Sequence, residues 1–453
     1  MKRTLIFLSF VLLANSVGAG QFPQQIISMS EAETMALDYS SDLKALKARK
    51  KYLFKMMDIS LSPSRPQIFL EGDFKRISNV SEVNLPTGKT VSLGDNENYS
   101  IGPSLNWLLY DFGLTKSGHE RARHLYLAKK SEALALKNKI LLSTRLAYLN
   151  IKLSLDKAVL INESLNLAGK QYNDIKLRYE AGAADKLDKI AARQEVLMRK
   201  KEFRNARSEI ALVVREFAYL TGFGKNLDLR FPANKKLVGM LSDTDEETTI
   251  VLNFDSIKKL KKLLEKSILK RPSDKNPSVK AFSELKKSYK SDRDALKAQR
   301  LPQLKLFAKA SLDYPNGPSL ETFNQNILGL NFKMPLFDGR RIKGNIQAKS
   351  FDIKYIKEKK TETFNIINLQ WHKAKDRVEG LKVQSEINKE ALENAEELAL
   401  LTYNSYKAGR ATFLKVEDAN LKALNWKIES LETEIRILSQ WALMNSLSSD
   451  GEK

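Results

Sequence analysis

The chain has 453 residues, a formal net charge of +22 and no cysteine. The absence of cysteine excludes disulfide bonds, thiolate metal sites and a lipid attached to an N-terminal cysteine. The charge is spread over mixed Lys, Arg and Glu segments that are typical of solvated helix faces, although a basic balance also permits attraction to anionic lipid or acidic partners.

Residues 1–19 have the pattern of an export signal. Lys2 and Arg3 precede an apolar run from Leu5 to Ala14, and the small residues Val17-Gly18-Ala19 follow at the expected cleavage point. The alternative is an N-terminal membrane anchor, but the run is shorter than the roughly 20 residues of a spanning helix. The sequence therefore predicts an exported protein, which argues against nucleic acid as a partner.

The rest of the chain consists of two similar halves. Tyr179-Glu180-Ala181-Gly182 is followed 227 positions later by Tyr406-Lys407-Ala408-Gly409, and Leu109-Tyr110-Asp111 by Leu336-Phe337-Asp338 at the same offset. Matches in one order at one spacing indicate an internal duplication. Each half is predicted to contain a helix, two strands and a long helical hairpin. The predicted segments are a signal peptide (1–19), a first repeat (20–222), a linker (223–275), a second repeat (276–446) and a polar tail (447–453).

Two strand-like runs in each repeat alternate between apolar and polar residues, which places the apolar side chains on one face. Runs of about ten residues suit a tilted membrane strand. A water-soluble antiparallel sheet packed on a core has the same alternation, so the strands alone leave both structures open. The apolar sets are Ile68, Leu70 and Phe74; Tyr99, Ile101, Leu105 and Trp107; Leu304, Leu306, Ala308 and Ala310; and Leu328, Leu330, Phe332 and Met334.

No proline interrupts the stretches from Gly113 to Gly182 and from Gly339 to Gly409. Each stretch is predicted to be one long helix that reverses at its final glycine, because glycine accepts the left-handed conformation that ends a helix. A heptad spacing of apolar residues after the second reversal predicts a coiled coil or helical barrel. The alternative is a soluble antiparallel coiled coil that forms no channel. The heptad positions are Leu414, Leu421, Ile428, Ile435 and Ala442.

In this order and spacing the motifs resemble the TolC family of outer-membrane efflux and secretion channels over nearly the whole mature chain. The resemblance implies an α+β, mostly α, fold. Long antiparallel coiled-coil helices would form a helical barrel, and four strands per chain would contribute to a trimeric, 12-stranded transmembrane β-barrel. The motifs are Arg65-Pro66-Gln67, Leu109-Tyr110-Asp111-Phe112-Gly113, Tyr179-Glu180-Ala181-Gly182, Arg271-Pro272, Pro335-Leu336-Phe337-Asp338-Gly339 and Tyr406-Lys407-Ala408-Gly409.

The resemblance implies a passive channel in the outer membrane of a Gram-negative-type cell, projecting into the periplasm and exporting small molecules or proteins. Its implied partners are two further copies of the chain in a homotrimer, a periplasmic adaptor, an inner-membrane efflux pump or secretion ATPase, and outer-membrane lipid. No motif predicts catalysis, a cofactor or a metal site, and the three histidines are expected on helix surfaces. The alternative function is a soluble periplasmic coiled-coil adaptor or structural protein without a pore. Only the net positive charge supports the hypothesis of an enzyme or a nucleic-acid-binding protein.

The resemblance also implies a gate at the periplasmic end. A tyrosine–aspartate hydrogen bond between coils of one chain matches Tyr406 and Asp188, and two pore-narrowing aspartates match Lys415 and Asp418. Lys415 departs from the family by reversing the charge, which predicts a mixed Lys–Asp ring in place of an acidic one. The alternative for these residues is an ordinary surface role beside a turn. The residues expected to meet the adaptor are Gly182, Ala183, Gly409 and Arg410.

Overall fold

The computed structural model describes residues 24–223, 251–265 and 270–450. The predicted signal peptide and part of the predicted linker lie outside the described residues. In chain order the elements are β1 (Gln24–Ile27), α1 (Met29–Tyr39), α2 (Ser41–Ile59), β2 (Gln67–Arg76), β3 (Glu82–Asn84), β4 (Thr90–Ser92), β5 (Glu97–Tyr110), α3 (Leu114–Glu180), α4 (Lys186–Thr221), β6 (Val251–Phe254), α5 (Ile257–Glu265), α6 (Pro277–Ala298), β7 (Gln303–Tyr314), β8 (Phe323–Lys333), α7 (Arg341–Lys407) and α8 (Phe413–Ser448).

These elements form two compact units, and each unit takes segments from both halves of the sequence. The units therefore divide the chain differently from the predicted repeats, whose boundaries stay a prediction. Among the described residues, the helical unit contains 24–39, 144–223, 251–265 and 384–438, and the strand unit contains 40–143, 270–383 and 439–450.

The two proline-free stretches form α3 and α7, each 67 residues long, as predicted. None of the helices in the described ranges combines the length and the apolar character needed to cross a membrane. One boundary was not predicted: the first helical segment is interrupted at Ser40, whose side chain accepts the backbone N–H of Leu43 and starts α2. At the other end of the chain, α8 continues to Ser448, two residues into the predicted tail.

In the strand unit, β2, β5, β7 and β8 form one antiparallel sheet in that order. Its register aligns apolar residues across all four strands, because Ile68 pairs with Leu105, Leu105 with Ala308, and Ala308 with Leu328. This apolar face is open in the single chain, where Ile68 is 73% exposed and Leu328 75% exposed. The predicted alternation is confirmed.

The opposite face of the sheet is mainly polar. A row across the strands pairs Asp73 with Ser100 and Ser100 with Asp313. The Ser100 hydroxyl donates to Asp313 Oδ1 at 2.6 Å, and Lys309 Nζ donates to the Ser100 oxygen at 2.7 Å. The sheet therefore has one apolar face and one face that carries hydrogen-bonded charges.

Candidate gate at the two helix reversals

The first helix reversal lies in the helical unit, after α3 ends at Glu180. Gly182 has a φ of 72°, the left-handed conformation that glycine adopts without strain. The N–H of Ala183 donates to the carbonyl of Arg178 at 2.7 Å, which closes the last turn of α3. This pattern is the Schellman helix end, and it satisfies carbonyls that the helix leaves unpaired.

The second reversal repeats this geometry after α7 ends at Lys407. Gly409 also has a φ of 72°, and the N–H of Arg410 donates to the carbonyl of Ser405 at 2.9 Å. The predicted glycine-terminated helix ends are therefore confirmed in both repeats. The two closing residues of each helix end are the residues expected to meet an adaptor, namely Gly182, Ala183, Gly409 and Arg410. Of these, Ala183 and Arg410 are exposed.

Tyr406 and Asp188 meet as the resemblance implied. The Tyr406 hydroxyl lies 3.2 Å from Asp188 Oδ2, and its ring lies 5.6 Å from that of Phe413. Burial, followed by the charge of Asp188, raises the pKa of Tyr406 to about 12. The phenol is therefore protonated at neutral pH and acts as the donor to the carboxylate.

A second tyrosine–aspartate contact, not found from the sequence, lies beside the first. The Tyr403 hydroxyl is 3.2 Å from Asp174 Oδ2, and Arg178 Nε is 3.3 Å from the same oxygen. Arg178 Nη1 also donates to the carbonyl of Lys407 at 3.3 Å, so that the end of α3 is joined to the end of α7. A signal was present, since Tyr403 precedes Tyr406 by three residues and shares its helix face.

An apolar cluster surrounds these hydrogen bonds. Its buried members are Ile175 and Ala192 from the first hairpin and Tyr406, Phe413 and Val416 from the second. Exposed fractions of 0% for Ile175 and Val416 and 1% for Phe413 mean that water is excluded from the interior of this apolar cluster. The two hairpins of one chain are therefore joined by packing as well as by hydrogen bonds.

Lys415 and Asp418, the other two gate candidates, lie exposed in the first turns of α8. Asp418 Oδ2 forms an ion pair with Lys422 Nζ at 2.7 Å, one turn further along the same helix. The structure thus brings together Tyr406 and Asp188, and it leaves Lys415 and Asp418 on the surface of the single chain.

A buried charge cluster lies between α4 and α8, beyond the tyrosines. Arg199 is 2% exposed, and its guanidinium bonds Glu195 at 2.7 Å and Glu202 at 2.6 Å. Burial and then the charge of Glu195 raise the pKa of the Glu417 carboxyl, against the opposing effect of Arg199. This cluster was not predicted from the sequence, because the same charge spacing on a helix is usual at exposed positions.

Within the described ranges, no group of three or more His, Cys, Asp or Glu side chains is arranged to hold a metal ion. Two histidines expected on helix surfaces are instead partly buried contacts of the strand unit. His124 Nδ1 lies 2.7 Å from Glu284 Oε2, and His119 Nδ1 lies 3.1 Å from the Ser60 hydroxyl. That expectation was wrong because each ring packs against a neighbouring helix and finds a polar partner there.

Comparison with known proteins agrees with this architecture. Residues 34–222 match the model of a family described as Outer membrane efflux protein, and the match lies within the predicted first repeat. VceC, an outer membrane protein of Vibrio cholerae, superimposes with a TM-score of 0.72 at 17% identity over 94% of this chain and 97% of VceC. The chain has the fold of a TolC-type outer-membrane channel.

Two further solved structures share this channel fold. The outer-membrane channel OprN gives a TM-score of 0.71 at 14% identity over 94% of this chain and 91% of the OprN chain. The Campylobacter jejuni outer membrane channel CmeC gives a TM-score of 0.71 at 14% identity over 93% of this chain and 86% of CmeC. Comparison with curated proteins finds no match. The resemblance and the fold class predicted from the sequence are confirmed, and the number of chains in the channel remains a prediction.

Proposed function

We propose that the protein is a passive channel of the outer membrane that exports small molecules or proteins from the periplasmic side. The observation that carries the proposal is the four-stranded sheet with one continuous, exposed apolar face. A soluble sheet covers such a face with other elements of its own chain, because exposing it to water is unfavourable. Acyl chains of lipid are the natural cover for a face of this kind.

The edges of that sheet support closure by further copies of the chain, and the family resemblance implies a homotrimer. Strands β2 and β8 are its two edges, and their outer N–H and C=O groups find no strand partner among residues 24–223, 251–265 and 270–450. In hydrocarbon such groups are very unfavourable, so a spanning sheet must close into a barrel. With four antiparallel strands per chain, β8 of one copy meets β2 of the next in antiparallel orientation. Three copies give twelve strands and leave no edge.

Aromatic rings mark the two ends of the span. Tyr99 and Tyr314 stack with ring centres 4.9 Å apart at one end of the sheet, and Tyr110 and Phe112 contact edge to face at the other. A strand rises about 3.3 Å per residue, so Tyr99 and Tyr110 lie about 36 Å apart along β5. A tilt of about 40° reduces that separation to about 28 Å, close to the apolar band of about 25 Å between aromatic girdles in outer-membrane barrels.

The helix reversals are proposed as the gated and docking end. Tyr406 and Asp188 join the two hairpins of one chain, and Lys415 and Asp418 would line the constriction of the trimer. A periplasmic adaptor would dock on the helix ends that contain Gly182, Ala183, Gly409 and Arg410. An inner-membrane pump or secretion ATPase would supply the energy, since the channel is proposed to do no chemistry.

Planar-bilayer conductance tests the channel, and fractionation tests its location. The purified trimer should conduct ions, and the protein should stay with detergent-extracted outer membrane. A folded trimer that fails to conduct, even with Tyr406→Phe or Asp418→Ala at the reversals, would contradict the channel. Recovery as a freely soluble periplasmic protein would favour the alternative, a coiled-coil adaptor without a pore.

A further inference from the structure

The polar face of the four-stranded sheet carries charges of both signs, and they are unevenly distributed along the strands. We call the end of the sheet at the stacked tyrosines the loop end, and the end at which β5 leads into α3 the helix end. Asp313 lies at the loop end of β7, and Lys305 lies eight residues away at its helix end, about 26 Å along the strand. Lys333 is at the helix end of β8.

The acids at the loop end have lysine partners on the same face. Asp73 Oδ2 lies 3.0 Å from Lys75 Nζ. Asp313 and Lys309 share the hydroxyl of Ser100, which donates to the carboxylate and accepts from the ammonium. The charge of each of these two aspartates is therefore balanced by a lysine close to it.

Lys305 and Lys333 at the helix end have no such balance. Both are exposed in the single chain, and neither forms an ion pair within the part of the chain that the structure describes. Glu71, the third acid of this face, pairs with Gly102, six residues along β5 from Leu108, which is the partner of Lys305. That separation is about 20 Å. The free charge at the helix end is therefore two lysines per chain, and six in the proposed trimer.

A cavity of about 710 Å³ within the strand unit adjoins Lys305, and its lining includes residues of α3 and α6. The carboxylate in that lining, Asp292, lies 3.5 Å from Arg121 and 3.1 Å from Lys349, so two cations already hold it. Four amide side chains in the lining can donate hydrogen bonds to an anionic oxygen. They are Gln67, Asn106, Gln299 and Gln303.

Unbalanced charge of one sign on the wall of a cleft or pore raises the local concentration of ions of the opposite sign. Rings of lysine or arginine are the arrangement by which pores favour anions. Because two of the three acids of this face are paired and both helix-end lysines are not, the field of the lysines dominates at the helix end.

We infer that the helix end of the sheet, with its adjoining cavity, is an anion-binding zone, and that the exported cargo carries an anionic oxygen group on an apolar body. The inference rests on the proposed trimeric channel, since only a closed barrel makes the polar face the wall of a pore. Lys305, Lys333 and the four amides would bind the anionic group. Phe69 and Leu108, which line the same cavity, would contact the apolar body.

Cysteines on β8 can report the local charge, because the native chain has none. Asn331→Cys lies opposite Lys305, and Gln325→Cys lies on the same face six residues nearer the loop end. Each variant is treated from the external side with two methanethiosulfonates of similar size, one ending in a sulfonate and one in a trimethylammonium. Dividing each rate by the rate with a small thiol in solution leaves the effect of the protein's charge.

The rate with the anionic reagent relative to the cationic one should be at least tenfold higher for Asn331→Cys than for Gln325→Cys. Adding Lys305→Gln and Lys333→Gln should reduce the Asn331→Cys ratio at least threefold, and high salt should reduce it by screening. Lys89→Gln, at an exposed lysine in the turn between β3 and β4, is the matched control and should change neither ratio. Equal ratios at the two cysteines, or a ratio that survives the loss of both lysines, would overturn the zone.

Permeation of two matched organic ions tests the charge of the cargo. A gradient of benzyltrimethylammonium benzenesulfonate is set across a planar bilayer that contains folded trimers with Tyr406→Phe. The reversal potential should show benzenesulfonate to be the more permeant ion, and Lys305→Gln with Lys333→Gln should lower its relative permeability at least twofold. A preference for the cation, or the same ratio without the two lysines, would overturn the assignment of an anionic cargo. A protein that forms no trimer, or that conducts no ions, would instead contradict the proposed function.

Discussion

The carboxylate of Asp111 accepts the backbone N–H of Thr115 at 2.7 Å and so caps the start of α3. Its other oxygen accepts the N–H of Gly113 at 3.1 Å. In the second repeat, Asp338 accepts the N–H of Ile342 at 2.8 Å. The duplicated Leu-aromatic-Asp motif is therefore the point where a strand ends and a long helix begins, and its aspartate satisfies N–H groups that no helix can pair by itself.

Asp111→Ala should lower the free energy of unfolding by about 1 kcal/mol or more, and Asp338→Ala by less, because Asp111 caps two N–H groups and Asp338 one. Asp338→Asn is the matched control, since Asp338 accepts its one N–H through a single oxygen and an amide oxygen can accept the same bond. Thermal unfolding followed by circular dichroism at the helix band measures all three. If Asp338→Asn proves as harmful as Asp338→Ala, the charge of Asp338 is the important property and the cap is not.

Gly102→Ala should prevent β5 from pairing with β7. An alanine Cβ at this position would lie 2.0 Å from the carbonyl oxygen of Ala310 and 2.6 Å from the Cα of Ser311, and backbone atoms cannot move aside as a flexible side chain can. Such overpacking costs about 1–3 kcal/mol or more. The heat-modifiable folded band on gels, typical of a closed barrel, should disappear.

The control for that substitution is Gly72→Ala on the neighbouring strand β2. Its added Cβ would find its nearest atom, Cγ1 of Ile101, at 3.6 Å, which is an ordinary contact. Gly72→Ala should therefore keep the folded band. Loss of the band in both variants would mean that these strands require glycine for a reason other than the close approach of β5 and β7.

Glu417→Gln should stabilise the helical unit at pH 7. Burial and the Glu195 carboxylate raise the pKa of Glu417, while Arg199 acts in the opposite direction. A carboxyl with a raised folded-state pKa stabilises the fold below its unfolded pKa, and that contribution is lost as pH rises through the folded-state value. Between pH 7 and pH 4.5 the native chain should therefore gain stability from this group, and the variant should not.

Tryptophan fluorescence can report this effect locally, because Trp426 is the one tryptophan within the segments that form the helical unit. With Trp107, Trp371 and Trp441 replaced by Phe, the urea midpoint of Trp426 emission is compared at the two pH values. Glu390→Gln, an exposed glutamate of α7, is the control. Equal shifts in both variants would assign the pH dependence to overall charge.

The sequence predicted the elements whose signals are long or repeated. The proline-free stretches predicted the ends of α3 and α7 to within two residues. The alternation of apolar and polar residues predicted the four strands of the large sheet. The short strands were missed, because four residues such as Gln24–Ile27 carry too little pattern, and their parallel partner β6 lies far along the chain.

The candidate site was predictable only where a motif marked it. Tyr406 and Asp188 came from the family resemblance, whereas Tyr403, Asp174 and Arg178 form the same kind of contact without a motif. The buried position of Arg199 could not be read from its charged neighbours. Those contacts depend on how two hairpins pack, and the packing is not encoded at any single position.

Tyr148→Phe should detach the N-terminal strand from the helical unit. The buried Tyr148 hydroxyl donates to the carbonyl of Ile27 at 2.8 Å and accepts the N–H of Asp255 at 2.8 Å, so it joins the ends of β1 and β6. Phe retains the ring contact with Phe254, whose centre lies 4.9 Å away. The substitution leaves one carbonyl and one N–H unpaired in a dry site, and each such group costs about 1–3 kcal/mol.

Hydrogen exchange of residues 24–39 should therefore accelerate at least tenfold in Tyr148→Phe, while exchange in the sheet of the strand unit stays unchanged. Tyr219→Phe, at a tyrosine that is 79% exposed in the same unit, is the control. If residues 24–39 exchange as slowly in Tyr148→Phe as in Tyr219→Phe, the hydroxyl does not hold the strand. The pairing of β1 with β6 and the packing of α1 would then be sufficient to keep it in place.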